Sequence, residues 1–208
     1  MPTCLSSQEL QHSSPSKILS PKGDPPISVP QWIYRFRGKL ASIPLIFALA
    51  YFIWEAEDDR FVWMFGTAIF LLGLFLRIWA QEHLHYRLKA PKQLTVTGPY
   101  AFVRNPIYIG NTLICVAATL VSELVWLVPL TLLWCLVLYS LVVRFEEQQL
   151  LARYGESYQE FILEIPRWFP LLRFRNFGLI NEYFWASLVS EIHCPLVLLP
   201  FILKELMY

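Results

Sequence analysis

Phe61–Ala80 reads FVWMFGTAIFLLGLFLRIWA, 20 residues with one charge, Arg77, near the end. A helix that crosses a bilayer needs about 20 mostly apolar residues. A helix apolar on every side has no face to offer to water. The stretch therefore predicts a membrane span, and its neighbours repeat the pattern. Val125–Val143 (VWLVPLTLLWCLVLYSLVV) has 19 residues and no charge. Phe102–Ser122 carries Arg104 only at its start. Leu40–Trp54 is 15 residues long, bounded by Lys39 and Glu55. It reaches back to Tyr34 if Arg35, Arg37 and Lys39 snorkel. Leu179–Leu203 is apolar but interrupted by Glu182, Glu191, His193, Pro195 and Pro200, and reads as a fifth span or a membrane-buried helix. The expected fold is all-α: a polytopic membrane bundle of about five transmembrane helices.

Composition agrees. The chain has 208 residues, 56% hydrophobic and 16% charged, and its mean hydropathy is +0.44. Soluble domains run at about 45–50% apolar and about 25% charged. Seventeen Lys+Arg against 16 Asp+Glu argue against a nucleic-acid partner. Four cysteines are too few for a disulfide scaffold, and none sits at metal-ligand spacing, so no metal is expected. Cys115 and Cys135 fall inside spans as small apolar fillers. Residues 1–30 hold six prolines and seven serines and read as a disordered cytosolic tail. They contain no apolar signal-peptide core. Residues 31–176 form the expected membrane core, and 177–208 a C-terminal hydrophobic helix.

Lys and Arg concentrate on the cytoplasmic side of membrane proteins. Lys17, Lys22, Arg35, Arg37 and Lys39 precede the first span. Arg87, Lys89, Lys92 and Arg104 lie between the second and third, and Arg144, Arg153, Arg167, Arg173 and Arg175 follow the fourth. The loop after the first span is acidic, and the turn near Ser122-Glu123 has no basic residue. This alternation places the N-terminus and both basic segments in the cytoplasm.

Those two basic segments also hold the polar motifs. One runs Gly98-Pro99-Tyr100 and then Arg104-Asn105-Pro106-Ile107-Tyr108-Ile109-Gly110. The other runs from Arg144 through Glu146-Glu147 and Tyr154-Gly155 to Ile165-Pro166-Arg167-Trp168-Phe169-Pro170. The short turn at Ser122-Glu123 makes the third and fourth spans an antiparallel hairpin. Counting from that turn puts Pro106 and Glu147 at comparable depth, so Arg104 or Asn105 can approach Glu146 or Glu147. Gly110 is expected to let these two spans pack closely. Neighbours on a helix point about 100° apart, so the two glutamates cannot both face one partner equally. A carboxylate at the bilayer edge is expensive unless partnered, which makes this pair a candidate site. His83 and His85, two residues apart, do not share a helix face. They read as interface histidines, with His83 able to line a pocket. His193, beside Cys194, reads as structural.

Gly98-Pro99-Tyr100 with Arg104-Asn105-Pro106-Ile107-Tyr108-Ile109-Gly110 resembles the G-P-Y-x-x-x-R-H-P-x-Y-x-G motif of isoprenylcysteine carboxyl methyltransferases. Phospholipid methyltransferases and other small membrane methyltransferases belong to the same broad group. Glu146-Glu147, Leu151, Tyr154-Gly155 and Tyr158 are similar to that family's E-E-x-x-x-L-x-x-[FY]-G-x-x-Y, and Ile165–Pro170 is similar to its closing V-P-R-x-x-P. The resemblance covers Arg77 to Pro170, with Asn105 where the family has histidine. It implies S-adenosylmethionine as cofactor in a cytosolic-side pocket, and a lipophilic or small methyl acceptor entering from the lipid bilayer. Gly98, Pro99, Tyr100, Arg104, Asn105, Pro106 and Tyr108 would then shape the cofactor pocket, with Glu146 and Arg167 as further contacts. Glu147 and Arg144 are the candidate catalytic residues. The competing expectations are a non-catalytic membrane protein of the same fold and a nicotinamide-dependent membrane reductase of the sterol type.

Overall fold

The computed structural model describes residues 31–51, 59–89, 94–170, 178 and 181–206, with the side chains of 59, 85–89 and 205–206 excepted. The expected N-terminal tail (1–30), the end of the expected first span (52–54), residues 55–58 of the acidic first loop, Lys92, Arg173, Arg175 and the side chains of His85, Arg87 and Lys89 lie outside the described residues. The elements are α1 (Gln31–Arg35), α2 (Arg37–Ala41), α3 (Ile43–Ala50), α4 (Asp59–Lys89), a 3-10 turn (Gly98–Ala101), α5 (Pro106–Val121), α6 (Leu127–Tyr154), α7 (Glu156–Glu164), α8 (Phe184–Ser190), a second 3-10 turn (Pro195–Val197) and α9 (Leu199–Leu206). No strand occurs among the described residues.

Among the described residues, three stretches are long and apolar enough to cross a membrane: Arg60–Leu84, Leu127–Tyr154 and Phe184–Lys204. α5 is apolar but only 16 residues long, about 24 Å at 1.5 Å per residue. The protein is thus a helical membrane bundle, as its sequence predicts. α4, with 31 residues, is about 46 Å long and overruns the roughly 30 Å hydrocarbon core. α6 overruns it too, which carries Glu146 and Glu147 past its apolar run on the same rigid helix.

Two predicted spans differ in detail. The first is divided into α1, α2 and α3. The backbone ladder still crosses both joints, through Phe36 N–H to Trp32 O (2.9 Å) and Ile46 N–H to Ser42 O (2.9 Å). At the second joint the Ser42 hydroxyl donates to Lys39 O at 2.8 Å, drawing on the backbone, and Pro44 opens α3 with no N–H to give. The third span begins at Pro106 rather than Phe102. A residue before proline avoids the helical region, and Asn105 sits at φ −127°, ψ 54°.

α4 and α5 pack antiparallel through small residues. A Cβ on Gly73 would lie 2.9 Å from the Gly110 carbonyl, and one on Gly66 would lie 2.5 Å from Val121 Cγ2. Ala117 and Ala118 are fully buried. This corrects the expected role of Gly110. Its close neighbours are Gly73 and Arg77 of α4, not the fourth span. The α5–α6 hairpin is joined instead by Thr119 Oγ1 and Thr131 Oγ1 at 3.1 Å and by the Tyr108 and Tyr139 rings at 4.9 Å. α2 lies on α6 through Trp134 Nε1, which donates to Leu40 O at 2.8 Å. Large apolar side chains point outward along α4 (Phe61, Phe65, Leu72, Phe75) and α6 (Leu130, Leu133, Val137). That arrangement suits a hydrocarbon solvent. Phe47, Tyr51 and Trp126 cluster where α3 ends and α6 begins, with Trp126 edge-on to both rings at 6.1 Å. Tyr and Trp rings concentrate at membrane–water boundaries.

Candidate functional site

The site lies at the end of the bundle opposite the α5–α6 turn. Four local features assemble it. Gly98 adopts φ +59°, a left-handed conformation that glycine takes without Cβ strain. A Cβ there would meet the His83 ring at 2.2 Å. The Gly98–Ala101 turn therefore sits directly on α4, with Gly98, Pro99 and Ala101 buried and Tyr100 half-buried. Pro99 O then accepts from Phe102 and Val103 N–H, both at 3.1 Å. This closes the turn and delivers Arg104 and Asn105 to the start of α5. There Pro106 takes the first helical position, where its missing N–H costs nothing.

The second polar segment arrives from the other side. α6 ends at Gly155 (φ 55°, ψ −125°), and α7 begins at once. α7 is followed by Ile165-Pro166-Arg167, which folds back onto α5. Arg104 N–H donates to Pro166 O at 2.9 Å, and Asn105 Nδ2 donates to Arg167 O at 3.3 Å. The two motif stretches are thus bonded backbone to backbone, and Asn105 serves as a brace between them.

Glu147 is central. Arg104 Nη1 donates to its Oε1 at 2.8 Å, and Arg167 Nη2 donates to its Oε2 at 2.6 Å. The Arg104 and Glu147 side chains are 11% and 12% exposed. Removing Glu147 would cost about 3–5 kcal/mol and leave two guanidiniums facing each other. Glu146 points elsewhere, accepting from Tyr108 Oη at 2.7 Å. The adjacent glutamates do not share a partner, in line with the 100° between helix neighbours. Arg144 lies one turn before Glu147 on α6 and is half-buried. Tyr158 of α7 is buried beneath the cluster. Burial pushes its hydroxyl above the ordinary tyrosine range. The Glu147 charge adds to this, and Arg104 and Arg167 oppose it.

The sequence did not reveal the function of His83 as an anchor. It is 6% exposed. Its Nδ1 pairs with Thr97 Oγ1 at 2.9 Å and its Nε2 with Gly178 O at 3.1 Å. A carbonyl only accepts, so Nε2 carries the proton. One side chain of α4 thereby ties the Gly98 turn to the segment after Pro170. Both partners are distant in sequence, and nothing local to His83 points to them.

Arg104 also has a buried Nε with no hydrogen-bond partner among the described residues. An unsatisfied buried donor costs about 1–3 kcal/mol, which an acceptor on a bound molecule would recover.

A model of the phospholipid methyltransferase family matches residues 61–157. That stretch contains Gly98–Tyr108, Arg144, Glu146 and Glu147, whereas Arg167 lies beyond it. The chain is 28% identical over 119 residues to the nickel-cobalt-cadmium resistance protein NccN of Alcaligenes xylosoxydans xylosoxydans, covering 57% of this chain and 53% of that protein. The match thus spans about half of the relative's length. No solved structure matches the chain.

Proposed function

We propose that this chain, whose residues 61–157 are of the phospholipid methyltransferase family, is an integral membrane methyltransferase. Its cofactor is S-adenosylmethionine, and its acceptor is a lipophilic molecule entering from the bilayer. The site faces the cytoplasm, since the basic segments flank it. The observation that carries this reading is the Arg104–Glu147–Arg167 joint. It draws both motif stretches into one half-buried polar cluster at the end of an apolar bundle.

The residues present fit the cofactor. The unsatisfied Arg104 Nε suits its methionine carboxylate. When bound, S-adenosylmethionine supplies an electrophilic methyl group on a sulfonium. Arg104 and Arg167 bind the carboxylate end, and Glu147 fixes both guanidiniums in place. Tyr100, Tyr108 and Pro106 wall the pocket, and Asn105 holds the Arg167 loop against it. Gly98 and Pro99 set the turn that positions this wall. Glu146 and Arg144 face the acceptor side. Arg144 neutralises an acidic acceptor, while Glu146 favours a cationic one. The chain needs no strong base for a carboxylate or thiolate acceptor, which is already nucleophilic. Alignment and exclusion of water supply the catalysis, and alignment alone is worth up to about 7–11 kcal/mol.

The test is retention of labelled S-adenosylmethionine by the full chain in detergent, followed by incubation with a total lipid extract. Retention is expected, with loss of at least about tenfold in affinity, about 1.4 kcal/mol, for Arg104→Ala and Glu147→Ala. No retention by the unaltered protein, or full retention by both variants, would overturn the assignment.

A further inference from the structure

A second polar cluster lies in the C-terminal segment, away from Glu147. α8 stops at Ser190, and helical backbone resumes only at Pro195. The intervening turn is closed by Cys194 N–H to Glu191 O (2.9 Å) and Leu196 N–H to His193 O (3.1 Å). On a regular helix Glu191 and His193, two residues apart, would point to different sides. The turn brings them together instead. One donor atom each from Glu191, His193 and Cys194 lies within 4.8 Å of the others. Glu191 and Cys194 are buried, and His193 is exposed.

We propose that Glu191, His193 and Cys194 bind one borderline divalent cation of the zinc or cobalt type. The donor set is decisive. Carboxylate, imidazole and thiolate together suit Zn²⁺ and Co²⁺, whereas Mg²⁺ and Ca²⁺ take oxygen donors. Cys194 Sγ already lies 3.0 Å from Glu191 Oε2. Tetrahedral ligands at about 2.0–2.3 Å from zinc stand roughly 3.3–3.7 Å apart. Closure by about an ångström is therefore enough, and exposed His193 can supply it. A supporting shell is in place. Arg77 of α4 donates from Nε at 2.8 Å and from Nη2 at 2.7 Å, both to Glu191 Oε2. Neither contact involves Oε1. Ligating carboxylates are usually fixed by such outer partners. Binding transfers the Cys194 thiol proton to solvent as the sulfur–metal bond forms. Three protein donors leave a fourth position open for water or a ligand. The break in the segment also has its physical reason, since irregular backbone at membrane depth persists where it is packed on protein.

The experiment titrates Co²⁺ into the full chain in detergent and follows thiolate-to-cobalt charge-transfer absorption. The band should saturate at one equivalent and be displaced by Zn²⁺. Cys194→Ser should abolish it, while Cys135→Ser, another buried cysteine, should retain it. His193→Ala changes an exposed residue, so the fold survives. It should weaken Co²⁺ by at least the roughly 10–100-fold that loss of an outer partner costs. Absence of the band in the unaltered protein, or its persistence in Cys194→Ser, would overturn the proposal. Retention of labelled S-adenosylmethionine, measured on the same samples, reports separately on the methyltransferase reading.

Discussion

At the residue scale the site is a set of charges that only make sense together. Glu147 alone at a bilayer edge would be costly. Between Arg104 and Arg167 it becomes the joint that holds two distant segments. Tyr158 shows the same dependence from below. Its raised pKa keeps the hydroxyl protonated in the folded protein. The unfolded chain releases that proton above about pH 10 and the folded chain does not, so deprotonation favours unfolding. The contribution of Tyr158 is therefore intact below about pH 10 and is lost as pH rises through the folded value. Thermal midpoints in detergent across alkaline pH should fall, and Tyr158→Phe should flatten that fall. An unchanged slope would refute the account. Asn105 was legible as a departure from the family's histidine. Its bond to the Arg167 carbonyl was not, because nothing local in the sequence brings residue 167 to residue 105.

At the element scale, apolar run lengths gave the helices, and proline and serine explain where they start and break. The partner of each helix was harder. Gly110 was legible as a close-approach residue, yet the approach is made by α4, since Gly73 offers a matching gap. A methyl group on Gly110 would press on the Gly73 carbonyl at 2.9 Å, and that backbone cannot rotate away. Gly110→Ala should therefore cost about 1–3 kcal/mol as an overpacked contact. Gly38, with nothing within 4 Å of its added Cβ, is the control, and Gly38→Ala should cost nothing. Equal thermal midpoints for the two variants would show that the α4–α5 contact is not tight.

At the scale of the whole molecule, the C-terminal segment is fastened along α4. Trp79 Nε1 donates to Gly178 O at 2.7 Å, Asn181 N–H bonds Glu82, and Arg77 holds Glu191. Lys204 Nζ reaches Tyr51 O at 2.9 Å, so the last helix returns to the end of α3. Charge predicts the orientation: five of 17 basic residues precede the first span, and nine lie in the two motif segments, which would place both in the cytoplasm. Cys4 tests it, because the other three cysteines are buried. An impermeant maleimide should label Cys4 in inverted membrane vesicles and not in right-side-out ones. The reverse pattern would overturn a cytoplasmic N-terminus and site.

The sequence by itself determined the solvent of this protein and the depth of its motifs. Hydrophobic run length and basic-residue placement are local quantities, and membrane insertion reads them directly. It also determined that Arg104 and Glu147 could meet, because a short turn fixes the register of a hairpin. Tertiary structure alone decided the third-party contacts: His83 under Gly98, Pro166 on Arg104, Arg77 on Glu191. Each joins residues far apart in the chain, across helices whose facing sides are set by mutual packing of small residues, a property of no single segment.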